Sequence, residues 1–481
     1  MSDTSPSSTR PRERAGRRIL RHLLAHALVW ALVLLGATTW MESQWRAAVA
    51  DAGDFSPLFA DFVPPELALD VSNGSDSLEA AALVAFGQKT TDIPFSVPEG
   101  EVGIDRIKHV YRQLDTLDRE RDPPTEDDVS LFRAAVEEEA LALAILDEGL
   151  RTARTARYHA DYGAPSLEIA TPNYFTRLDL ASLLRARGEV AVADGRLADA
   201  WRDAANVFRV AHWTGTEMPT MVSPMVARAI AEDGALFVQR LLGIAPPEES
   251  WISAVKEEAV RSRPVDLFTL ALAADRAAFV SSILHPEAAR LVAERMAGGG
   301  IPERHPNVDL LASWEAWRRW NAAEYLESST EVLRLCSLSP TERPREFEET
   351  FRPSWWAWLA LSGKNFISCS VTPHRDTWVA MLDHLAIAVE LERIRTEAGG
   401  YPDDLTALPE SLAGLRDPFD GKAYRYRKTP GGYDLWSVSA NAVDDQGAFP
   451  GLGPHGHVDL ETGDHVWRVD EGSSSAATSG R

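Results

Sequence analysis

The sequence predicts a mainly α-helical protein: an irregular helical array with a small C-terminal α+β module and one N-terminal transmembrane helix. Three observations lead to this fold class. A long uncharged apolar run follows a basic N-terminus, strings of Ala, Leu, Glu and Arg broken by Pro and Gly fill the middle, and alternating aromatic residues appear near the C-terminus. At 481 residues, 45% hydrophobic and 25% charged, the chain is long enough for two or three domains.

The charge balance excludes one broad class of function. The formal net charge is −23 at pH 7, whereas a general nucleic-acid binder needs clustered Lys and Arg to neutralise phosphates. We therefore expect no nucleic-acid partner. Positive charge is concentrated at the N-terminus, where several arginines face only Asp3 and Glu13. They are Arg10, Arg12, Arg14, Arg17, Arg18 and Arg21.

The apolar run HLLAHALVWALVLLGATTWM, residues 22–41, contains no Asp, Glu, Lys or Arg. Its length matches the roughly 30 Å hydrocarbon core of a bilayer at about 1.5 Å per helical residue. We expect one transmembrane helix here, with residues 1–21 as a basic cytoplasmic tail and residues 42–75 as a linker outside the cytoplasm. Trp40 and Trp45 suit the far membrane interface.

A cleaved signal peptide is the alternative for this segment. Ala48-Val49-Ala50 has the A-x-A form of a cleavage site. That site lies about ten residues beyond the apolar run, and the run itself is long for a signal peptide. We therefore predict an uncleaved signal-anchor. On either interpretation the chain beyond about residue 50 lies outside the cytoplasm.

Residues 76–370 are predicted to form an α-helical ectodomain. Its longest helical pattern covers residues 127–160, with one apolar face formed by Leu131, Ala135, Leu141, Ile145 and Leu146. The three glutamates at 137–139 could suggest paired catalytic carboxylates. On such a helix, a solvated charged face explains them better.

Residues 178–213 resemble a tetratricopeptide-type hairpin of two helices. Gly188, Gly195 and Ala200 have the expected spacing, and a small residue lets the two helices approach closely. Only one copy is visible, and repeat arrays need about three copies for stability. We therefore predict an irregular helical array rather than a repeat protein.

Tryptophans cluster at Trp314, Trp317 and Trp320 and again at Trp355, Trp356 and Trp358. They could form a membrane-skimming or partner-binding patch, because amphipathic rings favour such interfaces. We favour the alternative, in which they fill gaps between irregular helices. Cys336 and Cys369 form either a disulfide or two buried thiols.

Residues 377–470 are predicted to form the α+β module. A helix over residues 377–400 ends at Gly399-Gly400. Strands follow at 423–428 and 433–439, joined by Pro430-Gly431-Gly432, and a third strand is expected around residues 465–469. We expect the strand tyrosines and Trp436 to pack on the helix. Residues 471–481 read as a disordered tail.

This module resembles the C-terminal domain of type II secretion major pseudopilins. The resemblance is carried by Gly-Tyr-Pro, Asp-Pro-Phe-Asp-Gly-Lys and Gly-Tyr segments with intervening aromatic and turn residues. These are Gly400, Tyr401, Pro402, Leu405, Asp417, Pro418, Phe419, Asp420, Gly421, Lys422, Tyr424, Tyr426, Gly432, Tyr433, Leu435 and Ser437. The module also looks like the tail of bacterial membrane-anchored proteins that append it to a helical ectodomain.

Two departures from the pseudopilin pattern limit what the resemblance implies. No pseudopilin leader or Phe-Thr-Leu-Ile-Glu type start precedes the apolar run, and the module lies far from that run in sequence. We therefore do not expect the chain to polymerise as a pilus subunit.

In major pseudopilins the final loop binds calcium, which the resemblance extends to residues 439–464 here. Calcium takes several hard oxygen ligands on a flexible loop. The residues carried over are Asn441, Asp444, Asp445, Asp459 and Asp464. Asn441 stands where the family has an Asp, which lowers the charge of the site. The alternative is a solvated acidic loop with its own Asx turns.

The function expected from these features is that of a scaffold or adaptor in the bacterial inner (cytoplasmic) membrane, with a cytoplasmic N-terminus. The resemblance implies envelope or secretion-system proteins as partners, in a type II secretion or pilus-like assembly. One alternative is an extracytoplasmic hydrolase with its site in the helical domain, although the sequence holds no G-x-S-x-G, H-E-x-x-H or P-loop motif. Another is a calcium-stabilised structural envelope protein.

Overall fold

A computed structural model describes residues 10–52, 73–86, 102–120, 123–158, 171–218, 220–244, 247–261, 264–289, 313–338, 371–449 and 462–470. The described α-helices are α1 (Arg10–Ala52), α2 (Gly74–Phe86), α3 (Val102–Glu120), α4 (Glu126–Glu138), α5 (Ala140–Thr152), α6 (Tyr174–Ala193), α7 (Leu197–Glu217), α8 (Val222–Ile244), α9 (Glu249–Arg261), α10 (Pro264–Leu284), α11 (Glu315–Ser337), α12 (Val371–Ala398) and the short α13 (Glu410–Ala413), which follows a 3₁₀ turn at Leu405–Ala407. The strands are β1 (Arg425–Thr429), β2 (Gly432–Ser437) and β3 (His465–Asp470). The prediction of a mainly helical chain with a small sheet is confirmed.

The chain divides into two compact units. The smaller unit comprises Met1–Phe55, Phe279–Thr330 and Phe351–Lys364. The larger unit comprises Ser56–Ala278, Glu331–Thr350 and Asn365–Arg481.

In the smaller unit, α1 is one continuous helix that contains the predicted span at residues 22–41 and continues beyond it into the predicted linker. Seven large apolar side chains of this helix are 50–63% exposed: Leu28, Val29, Leu32, Val33, Leu34, Leu35 and Trp40. At the C-terminal end of the predicted span, the rings of Trp40 and Trp320 lie 5.8 Å apart, and Glu42 pairs with Arg319 at 2.9 Å. Two contacts therefore tie α11 to one end of the apolar stretch.

A second apolar segment lies in the interior of the sequence. Among the described residues, Leu267–Leu284 in α10 is long and apolar enough to cross a membrane, and 56% of it is buried within the protein. Phe268 of this helix packs edge-on against the fully buried Trp378 of α12, with ring centroids 6.1 Å apart. Such contacts are those of a core helix.

The larger unit is centred on α6, α7 and α8. The turn between α6 and α7 contains Gly195 at φ +73°, a left-handed conformation that glycine adopts without strain. Gly188 allows the closest approach, but its neighbour belongs to α8: an added Cβ would meet the Phe237 ring at 2.6 Å. Ala200 at the start of α7 is fully buried.

The helical pattern over residues 127–160 is broken where the sequence shows no interruption. Glu139 separates α4 from α5 with non-helical φ and ψ values of −97° and 20°. Because of this break, the apolar face of α5 does not continue that of α4. Leu141 is 63% exposed, so its predicted place on the apolar face is wrong. Ala135 and Leu146 are buried as predicted.

The three strands form an antiparallel sheet in the order β1-β2-β3, which confirms the predicted hairpin and third strand. The helix α12 confirms the predicted helix before the sheet and packs on both β2 and α8. The outer edge of β3 meets α8, where the Gln239 side-chain amide donates to the Arg468 carbonyl at 2.5 Å. Sheet and helices therefore share one packed interior, and one sheet edge is covered.

The described tryptophans between residues 314 and 378 are buried or, at Trp314, half-buried. Trp317 and Trp320 in α11 and Trp378 in α12 are all buried, as the gap-filling interpretation predicted. Trp355, Trp356 and Trp358 lie outside the described residues. So do Cys369 and the side chain of Cys336, and the choice between a disulfide and two thiols stays open.

Candidate functional site

The most recognisable motif of the module surrounds a fully buried carboxylate, that of Asp417. It accepts hydrogen bonds from the backbone N–H groups of Phe419 and Val438, each at 3.0 Å. The Ser437 hydroxyl donates to it at 2.8 Å, and the Arg425 guanidinium pairs with it at 2.5 Å. Burial raises the pKa of Asp417, while its N–H donors lower it. Asp417 therefore connects the motif's own turn, β1 and the end of β2 in one hydrogen-bonded cluster, the Asp417 cluster.

Tyrosines of the module lie toward α12, but Trp436 does not. The Tyr424 hydroxyl donates to Asp383 of α12 at 2.8 Å. Tyr433 packs edge-on against Tyr401, which follows α12, with ring centroids 5.0 Å apart. Trp436 is three residues further along β2, so it faces the opposite side of the sheet. The expectation that Trp436 packs on the helix is wrong, because strand alternation overrides its hydrophobicity.

On that opposite side, the predicted calcium ligands Asn441 and Asp444 form local turns. Asn441 Oδ1 accepts from the Val443 N–H at 2.9 Å, and its amide donates to Asp445 Oδ2 at 3.2 Å. Asp444 Oδ1 accepts from the Gln446 N–H at 3.0 Å. These are the Asx turns that the alternative interpretation of the loop predicted.

The backbone of this loop holds unusual conformations. Ser439, Ala442 and Gln446 have φ values of 56°, 54° and 60°, in the left-handed region that costs most residues about 1–2 kcal/mol each. The Trp436 indole also donates to Asp444 Oδ1 at 3.0 Å. Packing against Trp436 therefore helps to hold a strained loop in place.

Asp464 differs from the other predicted ligands because it is fully buried. Its Oδ2 accepts from the Gly447 N–H at 2.7 Å, and its own N–H donates to the Ala448 carbonyl at 2.7 Å. Its Oδ1 is buried and has no hydrogen-bond partner among the described residues. Burial raises the pKa of Asp464.

The fit of this loop to calcium depends on that single oxygen. Asp459 lies outside the described residues. Within the part of the chain that the structure describes, no group of three or more His, Cys, Asp or Glu side chains could hold a metal ion. An unpaired buried carboxylate oxygen is nevertheless costly, by about 1–3 kcal/mol or more. A cation at Asp464 Oδ1 would remove that cost.

The sequence did not single out the buried ionic groups of the helical array, which centre on α6. Three arginines of this helix each pair with two carboxylates from two other helices. Arg177 pairs with Glu79 and Glu217, Arg185 with Asp118 and Asp233, and Arg187 with Asp147 and Asp203. The helix therefore links α2, α3, α5, α7 and α8 by charge as well as by packing.

The Arg177 cluster is the most completely buried of the three. Arg177 and Glu217 are both fully buried, with Arg177 Nη2 at 3.1 Å from Glu217 Oε2. The Ser75 hydroxyl donates to the same oxygen at 2.9 Å. Burial raises the pKa of Glu217, although Arg177 opposes the change. Burial likewise disfavours the charged guanidinium, but Glu217 and Glu79 keep the pKa of Arg177 above its usual value.

Asn73 closes the same corner of the fold. Its side-chain amide donates to the Arg157 carbonyl at 2.9 Å, and its Oδ1 accepts from the Arg157 N–H at 2.8 Å. The next residue, Gly74, lies so close to Trp213 that an added Cβ would meet the indole at 2.6 Å. The Asn-Gly-Ser sequence therefore serves a buried structural junction. A Gly flanked by Asn and Ser is the signal that could have indicated such a corner.

On the part of the surface that the structure describes, two of the grooves have room for a small molecule. The groove of about 410 Å³ is lined by Asn73, Asp76, Ser77, Ala80, Ala144, Ile145, Glu148, Gly149 and Thr152. The groove of about 400 Å³ is lined by Arg395, Thr396, Gly399, Gly400, Tyr401, Lys428, Thr429, Pro430, Gly431 and Gly432. None of the buried Arg177, Glu217, Asp417 and His384 side chains lines either groove.

The described sites are thus the Asp417 cluster, a strained acidic loop and the buried ion pairs of α6. Their residues bond mostly to one another, although Asp464 Oδ1 is buried without a hydrogen-bond partner among the described residues. Comparison with known proteins adds no further assignment: no family model matches the chain, and neither a curated protein nor a solved structure matches it.

Proposed function

We propose that the protein is a single-pass, membrane-anchored extracytoplasmic scaffold or adaptor of the bacterial inner membrane, acting in a type II secretion or pilus-like assembly. The observation that carries this proposal is the Asp417 cluster. The Asp-Pro-Phe-Asp-Gly-Lys motif, which carries the pseudopilin resemblance, joins strands and turn rather than forming a reactive centre. A motif with that role supports a protein-binding module better than a catalytic one.

The architecture proposed for this function has three parts. The exposed apolar side chains of α1 support a membrane anchor at residues 22–41. The helices between α2 and α10 form an irregular array with one tetratricopeptide-like hairpin, α6 and α7. The helix α12 and the sheet form the pseudopilin-like module. Its packing on α8 attaches it to the helical array.

Site-specific photocrosslinking in intact cells tests the adaptor proposal. A photoreactive amino acid replaces Lys422, whose side chain is 77% exposed in the module. The control position is Arg151 on α5, with a side chain 70% exposed. We expect the module position to capture secretion or pilus-assembly components of the envelope, identified by mass spectrometry, and the control position not to capture them.

Two results would count against the adaptor role. Capture of no envelope component at the module position would remove its experimental basis. Identical captured sets at both positions would show that the contacts are unrelated to the module.

A second candidate, a calcium-stabilised structural envelope protein, is favoured by the partnerless Oδ1 of Asp464. Asp445 would supply a further carboxylate. A calcium ion here would neutralise the acidic loop and hold its strained backbone. This role is compatible with the adaptor function, since it concerns how the loop is kept in place.

Terbium luminescence tests the calcium site directly. The Trp436 indole touches Asp444 at 3.0 Å, so a lanthanide in this loop would lie beside an indole that can sensitise its emission. We expect emission that calcium displaces, that Asp464→Asn removes and that Glu410→Gln, an exposed change in the same module, retains. We also expect the melting temperature of the detergent-solubilised chain to rise by several degrees with calcium relative to chelator. Equal melts, or emission unaffected by Asp464→Asn, would rule the site out.

A further inference from the structure

At the helix–sheet interface of the module, a fully buried histidine stacks on a half-buried one. His384 lies on α12 and is fully buried, and its ring is stacked on that of His465 at the start of β3, with centroids 5.3 Å apart and planes inclined by 22°. The Tyr424 ring closes the pocket edge-on, 5.0 Å from His384. Neither ring nitrogen of His384 has a hydrogen-bond partner among the described residues.

We propose that the buried His384, on which the His465 ring is stacked, is an acid-sensitive latch. Neutral His384 holds α12 on the sheet at neutral pH, and its protonation in acid releases the helix. A neutral imidazole fits this apolar, stacked position. A protonated one would place an unpaired charge in the core, directly against a second imidazole. Opening the interface would let water solvate the charge.

The charged groups described near His384 are engaged elsewhere. On α12 the neighbouring Asp383 is engaged by the Tyr424 hydroxyl at 2.8 Å. Before β1, Asp417 is held by its N–H, hydroxyl and guanidinium donors. The α8 residues Arg228 and Glu232 affect the pKa of His374, which lies near the start of α12, ten residues before His384. Among the described carboxylates, none raises the pKa of His384.

The direction of the pH dependence follows from the titration of His384. Burial, and then His465, hold the pKa of His384 well below its usual value. The open form titrates near the usual value of about 6.5, so it binds more protons than the closed form below that pH. The latch is therefore fully closed above about pH 6.5 and weakens as the pH falls. Below about pH 6.5, the equilibrium constant for opening rises about tenfold for each pH unit that the pH falls. At pH 5.0 it is about 30-fold larger than at neutral pH.

Hydrogen exchange of the full chain in detergent tests the latch. Rates at pH 7.5 and 5.0, corrected for intrinsic exchange, are compared for peptides of α12 and β3 and for peptides of α6 and α7. We expect about 30-fold faster opening at pH 5.0 in the first set and a much smaller change in the second. His384→Phe should remove the acid response of β3 and of the α12 peptides around residue 384. Peptides around His374, whose pKa burial lowers to about 4, should keep part of theirs. The matched control His374→Gln, on the same helix, should retain the acid response.

The wild-type profile decides the question even if His384→Phe does not fold. A profile for α12 and β3 that does not change between pH 7.5 and 5.0 would overturn the latch. Acid opening that His374→Gln abolishes, or that occurs equally in α6 and α7, would also overturn it.

Discussion

Replacing Arg177 with methionine is expected to destabilise the helical array by about 3–5 kcal/mol, because the change strands a buried carboxylate. The Glu217 side chain is fully buried, and Arg177 is its cationic partner. Methionine approximates the length of the arginine stem but offers neither charge nor donors. The measurement is the denaturant midpoint of the detergent-solubilised chain, followed by tryptophan fluorescence.

Two further variants separate charge pairing from packing. The double change of Arg177→Met with Glu217→Leu should recover much of the lost stability, because an apolar pair can replace a buried ion pair. Arg133→Met, which breaks an ion pair with Asp194 on the exposed surface, should leave the midpoint unchanged. If Arg177→Met and Arg133→Met behave alike, the buried cluster does not stabilise the fold.

Replacing Asp417 with alanine is expected to destabilise the module by a similar amount, about 3–5 kcal/mol, because four groups lose their shared acceptor. Two of these are backbone N–H groups that cannot move to other partners without changing the turn or β2. The expected result is loss of protection over β1 and β2 in hydrogen exchange. Peptides of α6 and α7 should keep their protection.

Asp403→Ala is the matched control for this change. Asp403 is also an aspartate of the module with a cationic partner, Lys428 at 2.9 Å, but its side chain is 93% exposed. We expect it to leave exchange in β1 and β2 unaltered. Equal effects of Asp403→Ala and Asp417→Ala would mean that the hydrogen bonds of Asp417 do not stabilise the module.

The α+β module shows how far local sequence signals reach. Two glycines end α12, Pro430 and the glycines after it make the hairpin, and alternating aromatic residues form the strands, all within a short stretch of chain. Because these signals act between near neighbours, the elements could be predicted. The side to which Trp436 turns could not, since it depends on which face of the sheet α12 covers.

The helical region shows where local signals fail. Leu131 to Leu146 reads as one continuous apolar face, yet Glu139 ends α4 and the face is redirected in α5. No Pro or Gly marks the break. The break is decided by packing, because α5 lies mainly on α2 whereas α4 lies mainly on α6. Periodicity identifies helices well, but it does not identify which neighbour each helix will have.

The candidate sites divide in the same way. The resemblance and the spacing of acidic residues picked out the Asn441–Asp464 loop, and the structure adds that Asp464 is its buried member. The Arg177 cluster and the His384 pair left no such signal. An arginine or a histidine in an Ala- and Leu-rich helix looks like a surface residue until its partner is known.

The sequence by itself determined most of the helices, the three strands, the uncharged N-terminal run and the turn chemistry around Asp417, because each depends on residues within a few positions of one another. Only the tertiary structure decided which charges are buried. Arg177 meets Glu79 across 98 residues and Glu217 across 40, and His384 meets His465 across the module. Burying such groups is favourable only when distant partners arrive together, so packing of the whole chain determines which polar residues leave the surface.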